Sequence, residues 1–196
     1  MKVFEQCSVL PTPGSFMSEP PRVLVLFGSV VLFGAERGNL EALAALKAEG
    51  AQIHCLVSDE RWNKIVPPIL DERGFAWRKV GYVQIGRGLS WHNLLWKNPC
   101  RFVRANAAFL RAVREFQPTH IHAYGPSQIV NFGWGLLRTK VPHVFRAGDE
   151  PTLHNWFWRV VWRFALRRTA RFVANSQFVA HSLRASGIPA EKITVL

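Results

Sequence analysis

A chain of 196 residues that is 48% hydrophobic and holds three cysteines has apolar material for a core of its own, which excludes dependence on a disulfide scaffold. Its formal net charge of +12 points to an anionic partner: nucleic acid, anionic lipid or a phosphorylated substrate. The excess is one-sided, with ten Lys or Arg against nine Asp or Glu over residues 1–96 and fifteen against four over residues 97–196.

Eighteen of the 25 cations are arginine, whose planar fork suits phosphate or carboxylate. Cys7, Cys55 and Cys100 form no CxxC pair and no zinc spacing, which points to a reducing, cytoplasmic compartment. Glu5 and Pro11 interrupt any signal-like apolar run, so residues 1–21 are expected to be a loose, flexible leader. The longest uncharged apolar run, Val23 to Ala35, is too short to span a membrane.

In chain order, "RVLVLFG" (Arg22–Gly28) reads as a strand buried on both faces, hence part of a parallel sheet. The glycine-containing "SVVLFGAERGN" reads as a loop, and "LEALAALKAEG" as a helix stopped by Gly50. "AQIHCLVS" is a second strand; "DERWNKIVPPILDERG" reads as a helix broken at Pro67-Pro68, and "FAWRKVGYVQI" as a weaker strand region. After an irregular stretch, Asn98-Pro99 opens a helix to Gln117 with a stripe of Phe102, Asn106, Phe109, Val113 and Phe116. "HIHAYG", "PHVFRAG" and "RFVANS" read as strands, separated by the helix "PSQIVNFGWGLLR" and a long helix from Thr152 to about Arg171. "QFVAHSLRASG" is a last helix and "KITVL" the start of a strand. This alternation predicts an α/β fold: a doubly wound, mainly parallel, Rossmann-like sheet with helices on both faces, and ligands at the carboxyl ends of the strands.

The first loop, Gly28-x5-Gly34-x3-Gly38, is neither GxGxxG nor GxxxxGK[ST]. What it offers is a helix N-terminus able to hold an anion, with glycines that allow close approach or simply make a turn. "FGAERGN" with its helix resembles the Gly-Gly-x-Glu-Arg loop of family 4 glycosyltransferases, enzymes of the two-domain GT-B type. "PTHIHAYG" resembles that family's strand ending in His-x-His-Gly, and "ANSQFVAHSLRASGIPAEKITVL" its closing stretch at the hinge into a second domain. The resemblance covers residues 22–196 and implies that these are the N-terminal, acceptor-side domain, with the donor-binding domain lying beyond. The activity it implies is retaining transfer of a sugar from a nucleotide-sugar to a glycan or lipid-linked acceptor, with this half inactive alone. No cofactor is expected, and the nucleotide-sugar is expected only with the second domain.

The family loop maps onto Gly34, Glu36 and Arg37, with Phe33 where its first glycine lies. Tyr124 stands at the second histidine of His-x-His-Gly, and Gly125 matches the glycine. By position Tyr124 is then a catalytic candidate, able to donate a hydrogen bond but a poor base near pH 7. Arg146 and Asp149 in "FRAGDEP" stand where an acceptor-binding group is expected; Asp149 also suits a helix N-terminus. Gly34, Glu36, Arg37, Gly125 and Arg146 are thus the substrate- or diphosphate-binding candidates, and Tyr124 and Asp149 the catalytic ones. His122 reads as a buried, satisfied side chain, and no metal site is expected.

The long helix carries a core stripe of Trp158, Val161, Trp162 and Ala165. On its other side Arg159, Arg163 and Arg167 mix with Trp156, Val160 and Phe164, which suits an anionic membrane surface and peripheral docking on the inner face of a membrane. A second reading of the whole chain follows: a non-catalytic α/β module binding anionic lipid or polymer through this face. Nucleic acid finds no supporting motif.

Overall fold

The computed structural model describes residues 19–28, 32–59, 63–82, 99–151, 153 and 156–196. The leader expected over residues 1–21 lies almost wholly outside these, as do Trp91, Trp96 and Asn98.

Seven parallel strands form one sheet: β1 (Arg22–Phe27), β2 (Gln52–Ser58), β3 (Ala76–Val80), β4 (His120–Ala123), β5 (His143–Ala147), β6 (Thr169–Ala174) and β7 (Ile193–Val195). Their spatial order is β3-β2-β1-β4-β5-β6-β7. Among the described residues six α-helices connect them: α1 (Gly34–Ala48), α2 (Val66–Glu72), α3 (Pro99–Phe116), α4 (Pro126–Arg138), α5 (Trp156–Arg168) and α6 (Gln177–Ala185). This is the doubly wound sheet that the β-α alternation predicts.

The β1 run is apolar throughout because it is covered twice. Val23, Val25 and Phe27 face one core with Leu40, Leu43 and Leu70 of α1 and α2. Leu24 and Leu26 face the other, with Phe109 of α3, Phe132 of α4, Trp162 of α5 and Leu183 of α6. Side chains alternate across a strand, so consecutive residues feed opposite layers. Each fully buried Leu or Phe contributes about 1.5–3 kcal/mol of transfer free energy.

β1 pairs with β4, yet the helices that follow them pack on opposite faces of the sheet. Their connections part above the β1/β4 boundary and leave a crevice at the carboxyl edge, the switch point where doubly wound sheets hold ligands.

Three local expectations change. The "FGAERGN" segment is not all loop: α1 begins at Gly34, so Glu36, Arg37 and Gly38 are helical. Glu36 at the third helical position accepts from the Phe33 N–H and closes a capping arrangement, which starts the helix early. Pro67 and Pro68 start α2 instead of breaking a helix, since proline is well placed where no intrahelical N–H partner exists. The long helix ends at Arg168, and Thr169 already belongs to β6.

Asn106, set among phenylalanines in its stripe, is fully buried and satisfied. Its Nδ2 donates to the carbonyls of Phe102 and Asn131, and its Oδ1 accepts from the Gly135 N–H at 2.7 Å. Gly135 lets α4 come this close, because a Cβ there would sit 2.4 Å from the Phe109 ring.

Candidate functional site

Two cavities adjoin at the carboxyl edge of β1, β4 and β5. The first, about 280 Å³, is bounded by Glu36, Tyr124, Gly125 and Asp149. The second, about 420 Å³, is bounded by Gly34, Tyr124, Arg146 and Asp149. Ala35, Tyr124, Gly148 and Asp149 wall both, so they form one cleft.

Tyr124 leaves the end of β4 on the α1 face. Its ring meets Phe27 edge-on, with centroids 5.5 Å apart. The turn below it is held by Gln128, whose Oε1 accepts from the N–H groups of Tyr124 (2.9 Å) and Gly125 (2.6 Å). The Gly125 N–H is therefore engaged within the protein, and the residue contributes its small wall to the first cavity.

Glu36 is buried, with one carboxylate oxygen on the Phe33 N–H at 3.0 Å. Gly34 is exposed, and a Cβ built there would meet nothing within 4 Å. Protein packing therefore does not demand glycine at 34; the space opens into the cavity. Arg37 is exposed and walls neither cavity.

Arg146 projects from β5 under α1, and its Nη1 donates to Asn39 Oδ1 at 2.8 Å. The same Oδ1 lies 3.4 Å from His122 Nε2. Burial, then the Arg146 and His143 charges, push His122 down to about 4, so the ring is neutral near pH 7. Asp149 is exposed at the rim, on a loop pinned by the Asn175 side chain, whose Nδ2 donates to the Gly148 carbonyl at 2.8 Å.

Further contributors escape sequence reasoning. Tyr82 and Ser127 share a 2.5 Å hydrogen bond in the first cavity, and Gly28 makes room for the Tyr82 ring. Trp158 and Trp162, read as core by their helical spacing, are core and also the apolar wall of that cavity. Gln128, a glutamine three residues after Gly125 in a proline-started helix, carries a capping signature that could have revealed it.

On α5, Trp156, Arg159, Arg163 and Arg167 are exposed as expected of an outward face. Phe164 differs: it is half-buried against the core, next to Gly133 of α4, because it falls on the side of α5 that packs on α4. Among the described residues no three His, Cys, Asp or Glu side chains cluster as a metal site would require.

The chain overlays, at low identity, on half of several larger proteins. Anabaena HepE, solved with UDP-glucose, matches with a TM-score of 0.65 at 17% identity, over 89% of this chain and 43% of that one. A glycosyltransferase from Rickettsia africae matches at 0.62 and 16% identity, over 91% and 43%. A UDP-GlcNAc 2-epimerase from Neisseria meningitidis, bound to UDP-GlcNAc, matches at 0.63 and 13% identity, over 89% and 46%. The chain thus spans less than half the length of these structures, and the likeness is one of fold. No match is found among curated protein sequences. The sequence pattern of Glycosyltransferase Family 4 matches residues 34–196, most of the chain and all of the cleft but its first strand and Gly28; the protein belongs to that family.

Proposed function

We propose that this chain is the acceptor-binding half of a retaining glycosyltransferase, which receives a sugar from a nucleotide-sugar held by a second domain. The observation that carries this is the single cleft in which Gly34, Tyr124 and Asp149, distant in sequence, meet at the switch point. Tyr124 offers a hydroxyl to a sugar oxygen, and Asp149 a carboxylate to an acceptor hydroxyl. The tryptophan wall supplies an apolar face for a sugar ring or an attached lipid. The chain alone is expected to bind acceptor without transferring sugar, because transfer needs donor and acceptor held together. Measurable turnover of a nucleotide-sugar by the purified 196-residue chain would contradict this reading.

A second reading, docking on an anionic membrane surface at the cytoplasmic side, is favoured by a separate observation. Helices α3, α4 and α5 lie on one face of the sheet and together carry nine arginines and one glutamate. That glutamate, Glu115, pairs with Arg78 at 2.8 Å. Trp134, Leu137, Trp156 and Val160 are exposed among these cations, and the Arg138 guanidinium lies over the Trp134 ring. Cations mixed with exposed aromatic and aliphatic side chains match an interface rather than bulk water. No helix among the described residues is long and apolar enough to cross a membrane. Vesicle flotation tests the reading.

A further inference from the structure

Tyr82 carries a polar atom that the core does not need. Its ring is 1% exposed and packs on Phe132, with centroids 6.1 Å apart. A phenylalanine would fill the same space and bring no hydroxyl to be satisfied, and a hydroxyl taken out of water costs free energy unless it is partnered. Here the hydroxyl emerges at the wall of the first cavity and meets Ser127 Oγ at 2.5 Å.

The end of β1 is shaped around that ring. A Cβ on Gly28 would sit 2.4 Å from both Cζ and Oη of Tyr82. Gly28 is not among the positive-φ glycines, so its backbone does not require the residue type. The missing side chain makes room for the phenol.

Ser127 is equally unneeded by its own helix. It is the second residue of α4, where a serine could serve the helix start, yet Gln128 takes the N–H groups of Tyr124 and Gly125 instead. The Ser127 carbonyl accepts from Asn131 Nδ2 at 2.8 Å, which fixes the turn under the hydroxyl. A serine hydroxyl has one proton and two lone pairs, and the bond to Tyr82 uses one of the three. Ser127 is half-buried and walls the cavity, so the rest lies within reach of a ligand.

The opposite wall sets how a ligand lies. Trp158 and Trp162 offer an apolar face to one side of a sugar ring, whose hydroxyls then project from its edge. Ligand pockets run from about 300 to 1,000 Å³, so a cavity of about 280 Å³ takes one ring and not a longer glycan.

We propose that Ser127 is a specificity-determining contact that reads one hydroxyl of a single acceptor sugar ring, and that Tyr82, in the space left by Gly28, is the residue that positions the Ser127 hydroxyl. The proposal rests on the acceptor-side reading and deepens it, because it names the group by which the cavity tells one sugar from another. A site built to hydrogen-bond a hydroxyl rejects the analogue that lacks it, since the protein group is then left unpaired.

The test titrates the purified chain with the methyl glycosides of glucose, galactose, mannose and N-acetylglucosamine, following backbone amide shifts. The glycoside that binds most tightly at the cleft is then compared with its monodeoxy congeners. In wild type one congener is expected to bind about tenfold more weakly than the parent. In Ser127→Ala, and in Tyr82→Phe, which keeps the ring in the core, parent and congener are expected to bind alike, with the thermal midpoint showing each variant folded. A role in folding alone would not change this ratio. Equal binding of the parent and all its congeners to wild type, or full discrimination in Ser127→Ala, overturns the proposal. Discrimination lost in Ser127→Ala but kept in Tyr82→Phe overturns the positioning role of Tyr82. Shifts at Gly34 and Asp149 that are indifferent to Ser127→Ala sink this proposal and leave the acceptor-side reading standing, whereas no shift at the cleft with any glycoside sinks both.

Discussion

Two neutral histidines, His143 buried and His122 half-buried where a buried one was expected, tie this protein's stability to pH. Burial pushes both His122 and His143 down to about 4, against an ordinary value near 6.5. Between those values the unfolded chain binds more protons than the folded one, so stability is full above about pH 6.5 and is lost as pH falls towards 4. The expected loss is on the order of 1–3 kcal/mol per histidine, read as a fall in the urea midpoint from pH 7 to pH 4.5. Replacing His143, whose Nδ1 meets the Thr169 hydroxyl, with glutamine is expected to flatten that dependence. A midpoint unchanged over this range would contradict the neutral assignment. At this scale the sequence is legible where position alone decides. Tyr124 and Asp149 follow strands, and His122 alternates away from Ile121 and Ala123. Tyr82 is not legible, because its partner Ser127 is 45 residues away and its own strand region is weakly patterned.

Helices show where periodicity succeeds and where it stops. The stripe of Trp158, Val161, Trp162 and Ala165 is buried as its spacing requires. Spacing does not say that the cleft lies over Trp158 and Trp162, since core and cavity wall both demand apolar side chains. The early start of α1 was hidden because Gly34 and Gly38 read as loop residues, while the local cap from Glu36 overrides that propensity. The arginine-rich face was legible on α5, but its extension over α4 and α3 depends on which helices share a side of the sheet. The docking reading makes a measurable claim here. Each cation near an anionic bilayer contributes about 1 kcal/mol, so Arg159→Glu with Arg163→Glu is expected to weaken binding to phosphatidylglycerol vesicles at least tenfold, with wild-type binding lost at high salt. Trp156→Ala is expected to weaken it further. Equal flotation with neutral and anionic vesicles, or with wild type and the double variant, would contradict the reading.

Over the whole molecule, the doubly wound parallel class was legible in the alternation of buried strands and helices, whereas the strand order β3-β2-β1-β4-β5-β6-β7, with its reversal at β1/β4, comes from the structure. That order brings the carboxyl ends of β1, β4 and β5 together, and it explains why residues from Gly34 to Asp149 share one cleft. The chemistry of the ligand was less legible, because an open cleft records shape and charge but not the sugar. The most direct test of the acceptor-side account is amide chemical-shift mapping of the chain against a panel of sugars and alkyl glycosides. The account predicts saturable shifts concentrated at Gly34–Glu36, Tyr124–Gly125 and Gly148–Asp149, and lost in Tyr124→Ala with the fold intact. Shifts confined to other parts of the sheet, or none with any member of the panel, would contradict it.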